Sequence, residues 1–269
     1  MTDDRLADLV APLRAAPERA AVLLDVDGTL APITRHAGAA EVPAPTRGLL
    51  TEVAARFGLV ACVSGRRATD ARRIVGIGSL LYVGNHGTEV LRRGASSVET
   101  NPAVAAWEPR VREVAATLLR DRPDLDRLGV WCEDKGPIQA LHWRGSGDES
   151  RAEALVAELG ARAEAEGLAL HHGRMVLELR PPVAFDKGVA VRWLLAGGGY
   201  GTALYAGDDR TDLDAFAGLR ALVDEDDLER AACVAVSDGE APAEVAAAAD
   251  LTVDGQRGIR AVLQELLRP

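Results

Sequence analysis

Four short stretches of this chain carry residue types whose chemistry fits an anion and a cation better than solvent. The first is Asp25-Val26-Asp27-Gly28-Thr29. Two carboxylates two residues apart, followed by a glycine that lets the chain turn, can be presented to one pocket. One carboxylate can attack phosphorus and form an acyl phosphate, while its neighbour protonates the leaving oxygen. The same spacing also suits an ordinary turn in which Asp side chains bond their own backbone. The second stretch, Ser64-Gly65-Arg66, offers a hydroxyl and backbone N–H groups of the kind that hold a phosphate oxygen at a helix start. It would equally serve as a Ser N-cap. The third, Asp186-Lys187-Gly188, puts a cation at a helix start that is already positive, an unfavourable placement unless the Lys serves an anion or is simply solvated. The fourth, Gly207-Asp208-Asp209-Arg210-Thr211-Asp212, packs three carboxylates into five residues. They repel one another unless a cation joins them, and hard oxygen ligands of this kind favour Mg²⁺. Asp212 and Asp214 would also be at home as acids in the first turn of a helix.

The elements that must position these stretches can be read from the apolar pattern. Ala21-Val22-Leu23-Leu24 precedes Asp25, Leu59-Val60-Ala61-Cys62-Val63 precedes Ser64, and Ala203-Leu204-Tyr205-Ala206 precedes Gly207. Short continuous apolar runs read as strands buried on both faces, as in a parallel sheet. A further run, Leu80-Leu81-Tyr82-Val83, ends at Gly84-Asn85-His86-Gly87. Helical patterning at 4–16, 45–57, 67–75, 187–196 and near 211–217 alternates with these strands. Residues 233–236 and 251–253 add strands, and 256–267 a last helix. The alternation predicts an α/β fold with a doubly wound (Rossmann-like) parallel sheet, in which ligands bind beyond the carboxyl ends of the strands.

The pattern changes in the middle of the chain. Residues 103–121 read as one long amphipathic helix, 128–134 and 138–143 as antiparallel strands around Lys135-Gly136-Pro137, and 149–166 as a second helix. Residues 168–172 and 175–179 read as another strand pair around Gly173. Helix–strand–strand, twice, is a two-layer α+β module. The expected organisation is a core of residues 1–103 and 182–269 with an inserted α+β cap domain at 104–181.

Composition narrows the function classes. Acidic residues outnumber basic ones by 41 to 31, a net charge of −10, which argues against a binder of nucleic acid or of an anionic membrane surface. No apolar run approaches the roughly 20 residues that span a bilayer. Cys62, Cys132 and Cys233 lie far apart with no pairing pattern, as expected of a reducing cytoplasm. The acidic N-terminus does not read as a signal peptide.

Acid pair, Ser, Lys and acidic cluster occur in this order, each at the end of a buried strand or the start of a core helix. In this the chain resembles the haloacid-dehalogenase phosphohydrolase superfamily. The resemblance implies Asp25 as nucleophile and Asp27 as general acid/base. It implies Thr29 and Ser64 in contact with the transferring phosphoryl group, and Lys187 neutralising it. Asp208 would bind Mg²⁺ with the Asp25 carboxylate and the Asp27 backbone carbonyl, and Asp209 and Asp212 would orient the metal and its waters.

Further motifs resemble the trehalose-6-phosphate phosphatase family: the Leu24–Ile33 stretch (Leu24-Asp25-Val26-Asp27-Gly28-Thr29-Leu30-Ala31-Pro32-Ile33), Gly84-Asn85-His86-Gly87-Thr88-Glu89, Glu133-Asp134-Lys135-Gly136, Leu141-His142-Trp143-Arg144, Glu178-Leu179-Arg180-Pro181 and the acidic loop at 207–212. The match runs from about residue 20 to 217. In that family the insert is a lid closing over the sugar. The resemblance implies that Glu133, Lys135 and Glu178 contact the glucose ring distant from phosphate, with Arg66, His86 and Glu89 along the rim and Gly65 and Gly87 beside them. A disaccharide offers many hydroxyls and little apolar surface, so charged hydrogen bonds suit it; alone, Glu133 and Lys135 would read as a solvated cross-strand ion pair. His171 and His172 belong to no motif and read as surface residues. Trp131-Cys132 and Trp143 depart from the family's pattern.

These readings converge on a phosphatase acting through an aspartyl phosphate, with Mg²⁺ as cofactor, trehalose 6-phosphate as substrate, and a pathway link to a trehalose-phosphate synthase. The rivals are another glycosyl phosphate (sucrose 6-phosphate, glucosyl- or mannosyl-glycerate phosphate, a pseudo-disaccharide phosphate) and, from another class, a catalytically silent regulatory module that binds a sugar phosphate.

Overall fold

The computed structural model describes residues 2–34, 40–120, 122–237 and 242–269. The chain divides into two compact units, Met1–Glu99 with Phe185–Pro269, and Thr100–Ala184. The first unit begins with α1 (Thr2–Ala15), β1 (Ala20–Leu24), α2 (Ala44–Arg56), β2 (Leu59–Val63), α3 (Ala68–Val75), β3 (Leu81–Gly84) and β4 (Glu89–Leu91), with β5 (Glu99–Thr100) at its border. The second unit follows: α4 (Pro102–Ala105), α5 (Glu108–Leu119), α6 (Pro123–Leu128), β6 (Trp131–Asp134), β7 (Gln139–His142), α7 (Glu149–Ala165), β8 (Ala169–Gly173) and β9 (Val176–Arg180). The chain then returns to the first with α8 (Lys187–Leu195), β10 (Thr202–Gly207), α9 (Asp212–Asp224), β11 (Arg230–Ser237), α10 (Ala243–Ala248), β12 (Leu251–Asp254) and α11 (Gly255–Leu267).

The large sheet has the order β12-β11-β10-β1-β2-β3-β4-β5. Strands β12 through β3 pair in parallel, and β4 turns back antiparallel to β3. Every residue of β1, β2 and β10 is buried, because helices cover both faces. Alternation along β1 shows the two layers. Val22 and Leu24 pack with apolar residues of α1, α2, α3 and α11, whereas Ala21 and Leu23 pack with those of α8, α9 and α10. The chain starts at β1 in mid-sheet, winds outward through β2 and β3, and resumes on the other side with β10, β11 and β12. Strand order therefore reverses between β1 and β10, and the carboxyl ends of these neighbours open the crevice in which doubly wound sheets bind ligands.

Gly218 does not end α9, which runs on to Asp224 beyond the expected stop near 217. Its lack of a side chain serves packing instead: a Cβ there would lie 2.8 Å from the Gly188 carbonyl oxygen on α8.

In the second unit the four strands are antiparallel in the order β6-β7-β9-β8. Leu141, Leu177 and Leu179 cluster with Val111, Val114, Val156 and Leu159 of α5 and α7. Glu133, His142 and Glu178 alternate with these residues and so share the opposite sheet face.

Three further boundaries depart from the sequence reading. The expected helix at 103–121 is broken, because Pro109 has no N–H and its ring collides with a carbonyl one turn earlier; α5 restarts at Glu108 with that proline in its first turn. Pro123 opens a further helix, α6, which Gly129 ends at φ +70°, so β6 starts at Trp131 instead of 128. The second hairpin turns at Arg174-Met175, where Met175 takes φ +61°, and Gly173 belongs to β8. No helix among the described residues is long and apolar enough to cross a membrane.

Candidate active site

Asp25 leaves the sheet directly after β1, its N–H still donating to the Ala206 carbonyl of β10 at 2.9 Å. The chain then folds tightly, with the Leu30 and Ala31 N–H groups donating to Val26 O at 3.0 and 2.8 Å. Gly28 is needed here for two reasons. It takes φ +82°, and a Cβ would lie 2.0 Å from Asp208 Oδ2. The Asp208 carboxylate thus packs on the bare turn, where the buried Thr29 donates to its Oδ1 at 2.9 Å.

Lys187 opens α8 next to Asp186, whose carboxylate caps the helix by accepting from Val189 N at 2.7 Å. Only 2 % exposed, the Lys187 ammonium donates to Asp25 Oδ1 at 2.8 Å and to Asp212 Oδ1 at 2.6 Å. Asp212 is fully buried and accepts three more bonds: from the Tyr205 hydroxyl at 2.7 Å and from the N–H groups of Asp208 and Asp209 at 2.9 and 3.0 Å. Both its oxygens are thus engaged by the protein. Gly207 lets it approach, since a Cβ there would meet Asp212 Cγ at 2.2 Å.

The electrostatics follow from burial of several like charges. Burial pushes the Asp25 carboxyl well above the ordinary carboxylate range, Lys187 opposes this, and the charges of Asp212 and Asp208 add to it. Burial also raises Asp208, to about 7, with Asp212 and Asp209 as further contributors. For Lys187, burial pulls the pKa down, but the Asp212 and Asp25 carboxylates outweigh it and hold the ammonium well above its usual value. Asp25, Asp208 and Asp212 each offer a ligand atom within 4.8 Å of the others. An all-oxygen carboxylate set of this kind fits a hard divalent cation, whose charge would relieve the repulsion that raises Asp208.

Ser64 is buried at the end of β2, and its Oγ accepts from Arg66 N at 3.1 Å. Gly65 lies against the His86 imidazole, 2.7 Å from where its Cβ would be. His86 itself takes φ +56° and donates its N–H to Ser64 O at 3.1 Å, so the β2 and β3 loops brace each other. Gly87, at φ +111°, passes close to Asp186 O and Ala190. The Arg66 guanidinium grips Asp27 with Nε–Oδ2 and Nη2–Oδ1 distances of 2.5 and 2.6 Å. Glu89 departs from the rim role expected of it. It is 3 % exposed, one oxygen accepting from Ala68 N at the start of α3 and the other from Asn85 Nδ2, with Arg67 at 3.8 Å. It anchors the loop that presents His86.

The second unit holds a cluster of its own. Lys135 Nζ lies 2.9 Å from Glu178 Oε1, and Arg180 engages the other Glu178 oxygen. His142 Nε2 is 2.9 Å from Glu133 Oε2, a hydrogen bond that holds the Glu133 carboxyl below its usual range. Trp131 stacks on the His142 ring with centroids 4.3 Å apart. Trp143 is buried among the apolar side chains of this unit. His172 is exposed; His171 is partly buried opposite Glu178 in the strand register.

The structure therefore gathers Asp25, Thr29, Lys187, Asp208 and Asp212 into one bonded group, joins Asp27 to Arg66, and links Glu178 to Lys135. Tyr205, His142 and Arg180 are partners that the sequence reading did not single out. A hydroxyl inside a fully buried strand was the available signal for Tyr205, because such a group needs a partner.

The parallel sheet with its switch-point aspartate, helix-start lysine and acidic loop has the fold of the haloacid-dehalogenase-like hydrolases. One such hydrolase, from Bacteroides thetaiotaomicron, superposes with a TM-score of 0.62 at 16% identity over 92% of this chain and 99% of the other. Within that fold the chain belongs to the trehalose-phosphatase family, whose sequence model matches residues 23–249. A trehalose-phosphate phosphatase of Mycolicibacterium paratuberculosis is 36% identical over 206 residues, covering 74% of this chain and 51% of the relative. A probable trehalose-phosphate phosphatase of Oryza sativa is 36% identical over 211 residues, 74% of this chain and 55% of the relative. The chain thus spans about half the length of the curated relatives it matches. The C-terminal domain of Candida albicans trehalose-6-phosphate phosphatase shares the fold with a TM-score of 0.75 at 21% identity, over 99% of this chain and 97% of the other.

Proposed function

We propose that this chain is a Mg²⁺-dependent phosphatase that hydrolyses trehalose 6-phosphate to trehalose and phosphate through an aspartyl phosphate on Asp25. The observation that carries the reading is the buried Asp25–Lys187–Asp212 ladder beside Asp208. It combines a nucleophile, a fixed cation and buried carboxylate oxygens able to hold a divalent cation in one crevice.

Asp25 attacks phosphorus in line while Asp27 gives its proton to the sugar oxygen; Asp27 then takes a proton from water, which cleaves the aspartyl phosphate. Thr29, Ser64 and Lys187 hold the phosphoryl oxygens. Mg²⁺, held by Asp208, the Asp25 carboxylate and the Asp27 backbone carbonyl, would offset charge on the transferring group. Asp212 and Asp209 fix the loop that presents Asp208. The Arg66 guanidinium occupies both Asp27 oxygens, so it must move aside before Asp27 can reach the leaving oxygen. An arriving phosphate dianion competes for that guanidinium, which fits Arg66 with Gly65, His86 and Gly87 to the substrate side of the crevice.

Residues 104–181 act as the specificity lid, with Glu133, Lys135 and Glu178 meeting the sugar hydroxyls. The substrate would be supplied by a trehalose-phosphate synthase. Cytoplasmic placement is supported by three cysteines that all remain free thiols.

The test is phosphate release from trehalose 6-phosphate, sucrose 6-phosphate, glucose 6-phosphate and an aryl phosphate, with and without EDTA. Strong preference for trehalose 6-phosphate, lost with EDTA, is the expected result. Preference for another sugar phosphate keeps the mechanism and overturns the substrate, and no release from any of them favours a silent binding module.

A further inference from the structure

Trp131 is a large aromatic residue left 53 % exposed on a folded sheet. Its register explains where it points. It stands opposite His142, and two residues on, Glu133 stands opposite Ala140. Cys132 between them packs toward the apolar side of the sheet with Leu141. Trp131, Glu133, His142 and Glu178 therefore share one face. Ala140 and Val176 also lie on that face, but the indole is its largest aromatic surface and stands beside its charged and hydrogen-bonded groups.

The ring is also held. It stacks on His142 with centroids 4.3 Å apart and planes 14° from parallel, and His142 in turn is bonded to Glu133 at 2.9 Å. The imidazole covers one side of the indole and fixes its tilt. The same cross-strand stack steadies the β6–β7 hairpin. An exposed, oriented aromatic beside ionised carboxylates is the pairing that recognises a pyranose: ring C–H groups on one sugar face are drawn to the negative π-surface, while the carboxylates accept from hydroxyls at its rim.

We propose that Trp131 is a specificity-determining residue that stacks on a hexose ring of the substrate, with His142 as the positioning residue that orients both the indole and the Glu133 carboxylate. This rests on the phosphatase reading and extends it: the substrate class is a glycosyl phosphate with a sugar ring beyond the phosphorylated one.

The experiment compares wild type, W131A, W131L and W131F on the sugar phosphate that wild type hydrolyses fastest, on glucose 6-phosphate and on an aryl phosphate. We expect W131A and W131L to raise KM for the disaccharide phosphate about five- to tenfold with kcat little changed, to leave the other two substrates unaffected, and W131F to restore most of the loss. Addition of trehalose should blue-shift the tryptophan emission of wild type and not of W131F. Unchanged KM in W131A, rescue by W131L as complete as by W131F, or equal losses on all three substrates would overturn the stacking role. If wild type prefers a glycosyl phosphate other than trehalose 6-phosphate, a selective loss in W131A on that substrate upholds the stack while the trehalose assignment fails. If wild type prefers glucose 6-phosphate or the aryl phosphate, both fail.

Discussion

Asp208 and Asp212 lie four residues apart in one loop and do opposite work. Asp212 has both oxygens bonded within the protein and serves as a fixed anion for Lys187 and the loop. Asp208 takes one bond from Thr29 and carries a pKa raised to about 7 by burial and by its acidic neighbours. The sequence showed three acids at a strand end but not this division, because it turns on which carboxylate the loop folds over. The pairing of Arg66 with Asp27 was equally hidden, since the two are 39 positions apart and meet through separate strands. The raised Asp208 pKa has a consequence of definite sign. Without metal, its neutral form is favoured in the fold, so the stability it contributes is present at low pH and lost as pH rises through about 7. Metal binding requires the charged form. The thermal stabilisation by Mg²⁺, taken as Tm with Mg²⁺ minus Tm with EDTA, should therefore be larger at about pH 8 than at about pH 6. D208N should abolish most of it. A pH-independent stabilisation would contradict the assignment of Asp208 as the metal's protein ligand.

At the scale of elements, strands were legible and helix breaks were less so. The runs at 59–63 and 21–24 are buried on both faces, and a sheet covered twice leaves an unbroken apolar string in the sequence. The break before α5 was missed because its amphipathic spacing continues across Pro109, although the proline forbids the helix from doing so. Glu89 was read as a rim residue on the strength of the family resemblance of the 84–89 motif. Instead it joins two elements, accepting from the start of α3 and from Asn85. Its removal leaves a buried N–H and a buried amide without that acceptor. E89A should therefore lose about 1–3 kcal/mol of stability, read from urea unfolding. E89Q, which keeps one acceptor oxygen, should lose less. A variant as stable as wild type would show that the loop finds other partners.

At the scale of the molecule, the change from strand–helix alternation to helix–strand–strand marked the insert, and the division into two units falls at Glu99 and Phe185. The ion-pair chemistry of the insert was only half legible. Glu133, Lys135 and Glu178 were read as sugar contacts, whereas the part of Arg180 and His142, which lie in neighbouring motif positions and hold Glu178 and Glu133, emerged only with strands 131–134, 139–142 and 176–180 in place. If the two units divide the labour, chemistry in one and sugar reading in the other, E178A should cut kcat/KM for trehalose 6-phosphate by about a hundredfold, the scale expected on losing a buried charged contact. Aryl-phosphate hydrolysis should change little. Equal losses on both substrates would remove Glu178 from sugar recognition. The central claim is that phosphoryl passes through Asp25, and the most direct test is a rapid-quench single turnover with phosphate-labelled trehalose 6-phosphate, followed by mapping of the labelled peptide. The account predicts transient label on Asp25 and none in D25N. Label on any other residue, or phosphate release by D25N at the wild-type rate, would contradict it.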